Sequence, residues 1–309
     1  MNIVGKPVSP EGLKEKIRSI FTPLPIHQKA LGFQPNFYIG FLRALSRALI
    51  GAFRLNGQNR FSNEFVQQLD PKVTVELTNG KKLTYRTGHG RLLWRAKFAA
   101  ELDEPMLDDW LGSFSKSDTF FDVGACVGAY SMRAALQGAD VYAIEAEINN
   151  LQILYENIYL NDLFDQIQLI GMPVHDKTQT ATFFVRSHSK GDAMHSLDRQ
   201  AMYLDEFSGN KVRTLTMSLD HLISTFDLPY PTKLKIDVDS NELLILKGAR
   251  ETLKRCNEVY VEVCLKFEEH QEILTLMEES GFVEKKRESE IRPFLEKAFN
   301  ILFVRRDST

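Results

Sequence analysis

The sequence predicts an α/β protein with a mainly parallel sheet and helices on both faces. Three observations predict it. From about residue 119 onward, apolar runs of strand length alternate with helical stretches. The first run ends at Asp122, and Gly124 and Gly128 follow in a tight turn that leads into a helix. The second run, Val141 to Ile144, closes on an acid, Glu145. Strand, glycine turn, helix, strand and carboxylate is the order that builds a nucleoside-binding crevice at the carboxyl ends of parallel strands.

Taken in order, residues 1–70 read as an N-terminal helical extension and 71–309 as the main domain. Pro23, Pro25 and Pro35 punctuate the opening, and residues 37–55 (FYIGFLRALSRALIGAFRL) form an amphipathic, basic helix. Arg43, Arg47 and Arg54 interrupt it too often for a bilayer span. Packing on the main domain or a second subunit is the favoured reading. Peripheral membrane contact through residues 37–55, or a cover over the cleft, is the alternative. Residues 73–86 alternate as a β-hairpin about Asn79-Gly80, and Trp94 and a helix from about Ala99 to Phe114 follow. Core strands are expected near 119–123, 140–145, 166–171, 233–238, 258–264, 281–286 and 299–306, with helices near 129–137, 148–161, 241–254 and 268–280. An insertion over about 173–232 carries strands at Ala181–Val185 and Val212–Met217, with a polar loop (RSHSKGDAMHSLD) between them. A long loop on the carboxyl side of a sheet is expected to cover the substrate.

Composition sets the class. With 43% hydrophobic and 26% charged residues and a net charge of -3, the chain reads as an ordinary soluble protein without a global signal for nucleic acid. Cys126, Cys256 and Cys264 form no metal-binding or CxxC spacing. The N-terminus lacks the apolar core of a signal peptide, so a cytoplasmic enzyme is expected.

Two constellations carry chemistry. In the first, Gly124 permits the turn and the bare Gly124 and Gly128 let a ligand approach the main chain. Asp122 is placed to hold an ammonium, directly or through water, and Glu145 to accept hydrogen bonds from a ribose diol. Cys126 stands where a dinucleotide fingerprint needs its second glycine, which argues against NAD or FAD, and no P-loop sequence is present. In the second, PTKLKIDVDSNELLILKGARETL, a strand contains the acid Asp237. Such an acid is paired, by Lys235 or backbone amides, or it is used. The favoured reading has it facing the ligand. Asp239 or Ser240 reads as a helix cap, with Glu242 beside it.

DVGACVGAYS, IEAEINNLQILYENIYLN and KIDVDSNELLILKGA, in that order and spacing, resemble the FkbM-type S-adenosylmethionine-dependent methyltransferases from about Val73 to the end. The resemblance implies a class I methyltransferase fold, Rossmann-like and seven-stranded, and methyl transfer to oxygen on a sugar, glycolipid or natural-product hydroxyl. It places Asp122, Gly124, Ala125 and Gly128 in the loop around the methionine part and Glu145 and Ala146 at the ribose. Met172 and Pro173 fall beside adenine, and Asp237 near the methyl. The chain departs from the family at Asp239-Ser240 for Glu-Gly, Ala146 for Pro and Cys126 for Asn.

A hydroxyl acceptor gains from a general base or a metal. Of His175, His188, His195 and His221, His195 in the polar loop is the first choice as base. A metal held by Asp237 with Asp220 or Glu242 ranks lower, because the spacing is not that of a ligand set, and no metal is expected. The expected partner is a small-molecule or glycan acceptor. Nucleic acid is set aside, since KIDVDSNE supplies no Asn-Pro-Pro-Tyr-like run and no basic face. The rival functions are a nucleotide-cofactor oxidoreductase and a module that binds the cofactor without catalysis.

Overall fold

The computed structural model describes residues 71–88, 90–101, 105–199, 201, 208–289 and 298–306. The expected N-terminal helix and its membrane reading therefore lie outside the described residues.

The hairpin strands β1 (Lys72–Glu76) and β2 (Lys82–Arg86) pair antiparallel around the Asn79-Gly80 turn. Helices α1 (Gly90–Glu101) and α2 (Pro105–Gly112) follow. Then come β3 (Thr119–Val123), α3 (Ala129–Leu136), β4 (Asp140–Ile144), α4 (Ile148–Leu160) and β5 (Ile167–Ile170). The insertion contributes β6 (Val174–His175), β7 (Gln179–Val185), β8 (Ser196–Leu197), β9 (Asn210–Ser218) and α5 (Leu219–Phe226). The last third runs β10 (Lys233–Ile236), α6 (Glu242–Lys247), α7 (Arg250–Arg255), β11 (Glu258–Cys264), α8 (Glu268–Glu279), β12 (Phe282–Ser289) and β13 (Ala298–Arg305).

The main sheet has seven strands in the order β12-β13-β11-β10-β3-β4-β5, and β13 runs antiparallel to both neighbours. This is the class I methyltransferase fold that the motifs imply. Strand alternation builds its two faces: Phe120 packs with Trp110, Leu154 and Tyr260 on one side, and Phe121 with Leu234, Leu246 and Ile273 on the other. Trp110 stacks on Tyr260 with ring centroids 5.4 Å apart, which seats α2 on the sheet.

Polar side chains of α4 fasten the hairpin to this core. Asn157 accepts from the Arg86 amide at 2.9 Å, and Asn161 both accepts from the Thr84 amide and donates to its carbonyl at 2.8 Å. They satisfy backbone groups on the free side of β2. The single helix expected over 241–254 is two short helices that break at Gly248–Ala249. Elements α1, α5, β6 and β8 were not expected.

The chain runs from β3 outward to β4 and β5, then returns after the insertion to β10 on the other side of β3. The strand order thus reverses between β3 and β10, which opens a crevice at their carboxyl ends.

Candidate functional site

A cleft lies at that reversal. It is lined by Gly124 to Val127 after β3, Glu145 and Ala146 after β4, Pro173 after β5, and Asp237 to Asp239 after β10. The insertion adds Phe183 and residues 192, 193 and 195–197.

At Gly124 (φ 85) a Cβ would stand 1.9 Å from the Asp237 carbonyl oxygen. The backbone beside it therefore demands glycine there, and the turn needs its positive φ. Gly128 (φ 87) is different from expectation: a Cβ there would meet Leu154 Cδ1 at 2.3 Å, and the residue does not line the cleft. It is a helix-packing glycine between α3 and α4, not a point of ligand approach.

Glu145 is 8% exposed. Its two oxygens each accept a backbone N–H at 2.7 Å, from Cys126 and from Glu147. Burial pushes its carboxyl up to about 8, against the pull of those two amides. A carboxylate has about four acceptor positions, so the side chain keeps capacity for two hydroxyl donors. Next to it, Ala146 packs against the apolar cluster of Ala181, Phe183, Val185 and Leu197. The cleft thus has a carboxylate beside an apolar wall, which fits a ribose joined to a flat base. The Cys126 thiol is pushed up to about 11 by burial and stays protonated near neutrality.

Asp122 departs from its expected place. It is fully buried and does not line the cleft. Ser131 Oγ donates to it at 2.6 Å, and Lys235 Nζ lies 3.7 Å away. Burial raises its carboxyl above the usual range, opposed by the Lys235 charge and the Ser131 hydroxyl. Lys235 itself is buried at 1% exposure, lies 4.9 Å from the Tyr130 ring centroid, and donates to Asp237 Oδ2 at 3.0 Å. Lys235 thus pairs with Asp237, which also lines the cleft with its side chain 39% exposed. Met172 packs into the core and does not line the cleft, whereas Pro173 does.

The loop after β10 is built unlike a simple cap. Asp239 (φ 57) accepts from the Met194 amide at 2.5 Å, so its carboxylate ties down the insertion instead of capping α6. Glu242, fully buried, turns back to accept from the Val238 and Ser240 amides at 3.1 and 3.3 Å. Ser240 has φ 126, a region that strains any residue with a Cβ. Asp220 accepts from the Glu251 and Thr252 amides at the start of α7 and lines no part of the cleft.

The segment 191–199 spans the cleft. At one end Asn150 of α4 accepts from the Gly191 amide at 2.7 Å and donates to the Asp192 carbonyl at 3.0 Å. At the other, Asn241 donates to Ser196 Oγ at 2.8 Å and Arg199 to the Ser240 carbonyl at 2.5 Å. The carboxylate of Asp192, 2% exposed, meets Arg91 at 2.8 Å and the Ala193 amide at 3.0 Å. Sequence reasoning passed over Asn150, Asp192 and Asn241, because their partners lie far away in the chain and no local pattern marks them.

His195 alone among the four candidate histidines lines the cleft. His188 meets Asn210 at 2.7 Å, His221 meets Thr178 at 2.5 Å, and His175 pairs with Asp176 at 2.6 Å. His195 Nδ1 accepts from the Arg186 amide at 3.1 Å. Burial lowers its basicity, so the ring is neutral and its proton sits on Nε2. That nitrogen presents a hydrogen-bond donor.

The family model for the methyltransferase FkbM domain matches residues 122–284, more than half of the chain. Among solved structures, the methyltransferase FkbM of Methylobacillus flagellatus is similar at 18% identity with TM-score 0.42, over 62% of this chain and 44% of that one. The present chain thus spans less than half the length of that relative. M. jannaschii TYW2 in complex with AdoMet shares 12% identity, TM-score 0.41, over 76% and 87% of the two chains. A tRNA methyltransferase of M. jannaschii shares 14% identity, TM-score 0.38, over 75% and 56%. No curated protein matches the chain in sequence. The presence of RNA and tRNA enzymes among these structural matches corrects the exclusion of nucleic acid: the missing Asn-Pro-Pro-Tyr-like run does not remove it from the acceptors. Among the described residues no helix is long and apolar enough to cross a membrane. The motifs, the strand order and the matched domain agree: the chain belongs to the FkbM methyltransferase family.

Proposed function

We propose that the cleft holds S-adenosylmethionine and that the protein transfers its methyl group to a hydroxyl oxygen of a sugar, glycolipid or natural product. The observation that carries this reading is Asp237, a carboxylate at the edge of the cleft beside the Gly124 turn, oriented by buried Lys235. The cofactor supplies an activated methyl on a sulfonium, so the protein contributes position and proton transfer. Glu145 accepts the ribose hydroxyls. The main chain at Gly124–Cys126 borders the methionine part, and Ala146, Pro173 and Phe183 cover the adenine. Asp237 takes the proton of the acceptor hydroxyl as that oxygen bonds to the methyl carbon and the carbon–sulfur bond breaks. Lys235 holds Asp237 aimed. Asp122 holds Lys235 and α3 from below through the contacts to Lys235 and Ser131, with no ligand contact of its own. Three unpaired cysteines suit a cytoplasmic setting.

Asp237→Asn tests the reading. S-adenosylhomocysteine release from S-adenosylmethionine is followed with a panel of saccharide, glycolipid and small hydroxylated acceptors, beside RNA. Turnover on a hydroxyl acceptor falls by about 10²-fold or more, with cofactor affinity retained within about threefold. Turnover that is unchanged by the substitution, or found on RNA alone, contradicts it. A second reading, a module that binds cofactor without transfer, is favoured by one observation: Ser240 at φ 126, where the family carries glycine.

A further inference from the structure

His195 sits on the insertion, beside the apolar cluster that packs against Ala146 after β4. Its ring centroid is 6.2 Å from that of Phe183, which packs with Ala146 directly after Glu145. The largest charges acting on it are those of Glu147, Asp192, Arg186 and Arg91. The Arg186 amide fixes the ring by donating to Nδ1 at 3.1 Å, which leaves the hydrogen on Nε2. The residue is 9% exposed, it lines the cleft, and Nε2 has no hydrogen-bond partner among the described residues. A buried N–H left unmade is unfavourable, so such a group is expected to be completed by something that enters the cleft.

We propose that His195 is a cofactor-recognition residue, whose Nε2–H donates to an acceptor atom of the adenosine part of S-adenosylmethionine. The donor complements Glu145: one side of the nucleoside gives hydrogen bonds to a carboxylate, and the other receives one from a fixed imidazole. The histidine belongs to the segment that Asn150 and Asn241 hold across the cleft, so nucleoside binding couples to the order of that segment. This inference rests on the proposed cofactor site.

Binding of S-adenosylhomocysteine and of adenosine by titration calorimetry tests it, with wild type, His195→Asn, His195→Gln and Glu145→Ala. Asparagine keeps an acceptor near the Nδ1 position for the Arg186 amide and removes the outer donor. Glutamine keeps a donor near the Nε2 position. The expected result is a loss of about tenfold in affinity for both ligands in His195→Asn, with a melting temperature near that of wild type, and binding within about threefold in His195→Gln. Unchanged affinity in His195→Asn overturns the inference, as does an equal loss in both variants, which marks the ring as structural. Absence of wild-type binding, or full binding in Glu145→Ala, instead refutes the cofactor site as drawn, and so separates the two failures.

Discussion

In the proposed cofactor site Glu145 receives the ribose hydroxyls, and its surroundings give it a pH signature. Burial places its carboxyl at about 8, so below that pH the ligand-free protein holds a proton there. Ribose hydroxyls donate to the ionised form and favour it, hence binding expels that proton below pH 8 and expels none above it. Affinity for S-adenosylhomocysteine is therefore expected to rise from pH 6.5 to about 8 and then level off. Titrations across that range check it, with Glu145→Gln as the reference that removes this group's contribution. A wild-type profile parallel to the variant's would remove Glu145 ionisation from binding. At this scale the sequence was legible where position in the sheet alone brings a residue to the cleft. Glu145 and Asp237 close strands at the reversal of the sheet, and both line the cleft. It was misleading at Asp122, because alternation along β3 turns that side chain under the cleft toward Ser131 and Lys235. At Gly128 the neighbour that requires a bare Cα is Leu154 on α4, which is visible only in packing.

At the scale of elements, the segment 191–199 is held across the cleft at both ends, and Asn150 is its anchor on α4. Two hydrogen bonds run from that one side chain to Gly191 and Asp192. Asn150→Ala leaves a buried amide and a carbonyl without their partner, which is expected to weaken the segment's docking by about 1–3 kcal/mol. Limited proteolysis checks it: cleavage within 186–199 quickens in the variant and slows again with S-adenosylhomocysteine. Cleavage at the wild-type rate would show that the asparagine does not hold the segment. The seven core strands were legible because each is a short apolar run bounded by turn residues, and the long helices α4 and α8 because their periodicity lasts three turns or more. Helix α5, two turns long and capped by Ser218, is too short to give that signal. The two-residue strands β6 and β8 exist only through pairing with β9 and β7.

Over the whole described domain, the sheet order places every candidate group by one device. The chain leaves β3 in one direction and comes back on its other side at β10, so Gly124, Glu145 and Asp237 meet although they span more than a hundred residues of sequence. Gly124 shows how close that meeting is, since any side chain there would strike the Asp237 backbone. The fold and the cofactor were readable from three motifs. The acceptor was not, because the surface that would select it comes from the insertion, whose contacts to α4 and to the β10–α6 loop are made by single polar side chains without a pattern. The most direct test of a cofactor site at this reversal is titration calorimetry of S-adenosylhomocysteine into wild type and Glu145→Ala at pH 8. Saturable one-site binding by wild type, weakened at least tenfold in the variant, is the expected result. Equal affinity in the two proteins, or no binding by wild type, would contradict it.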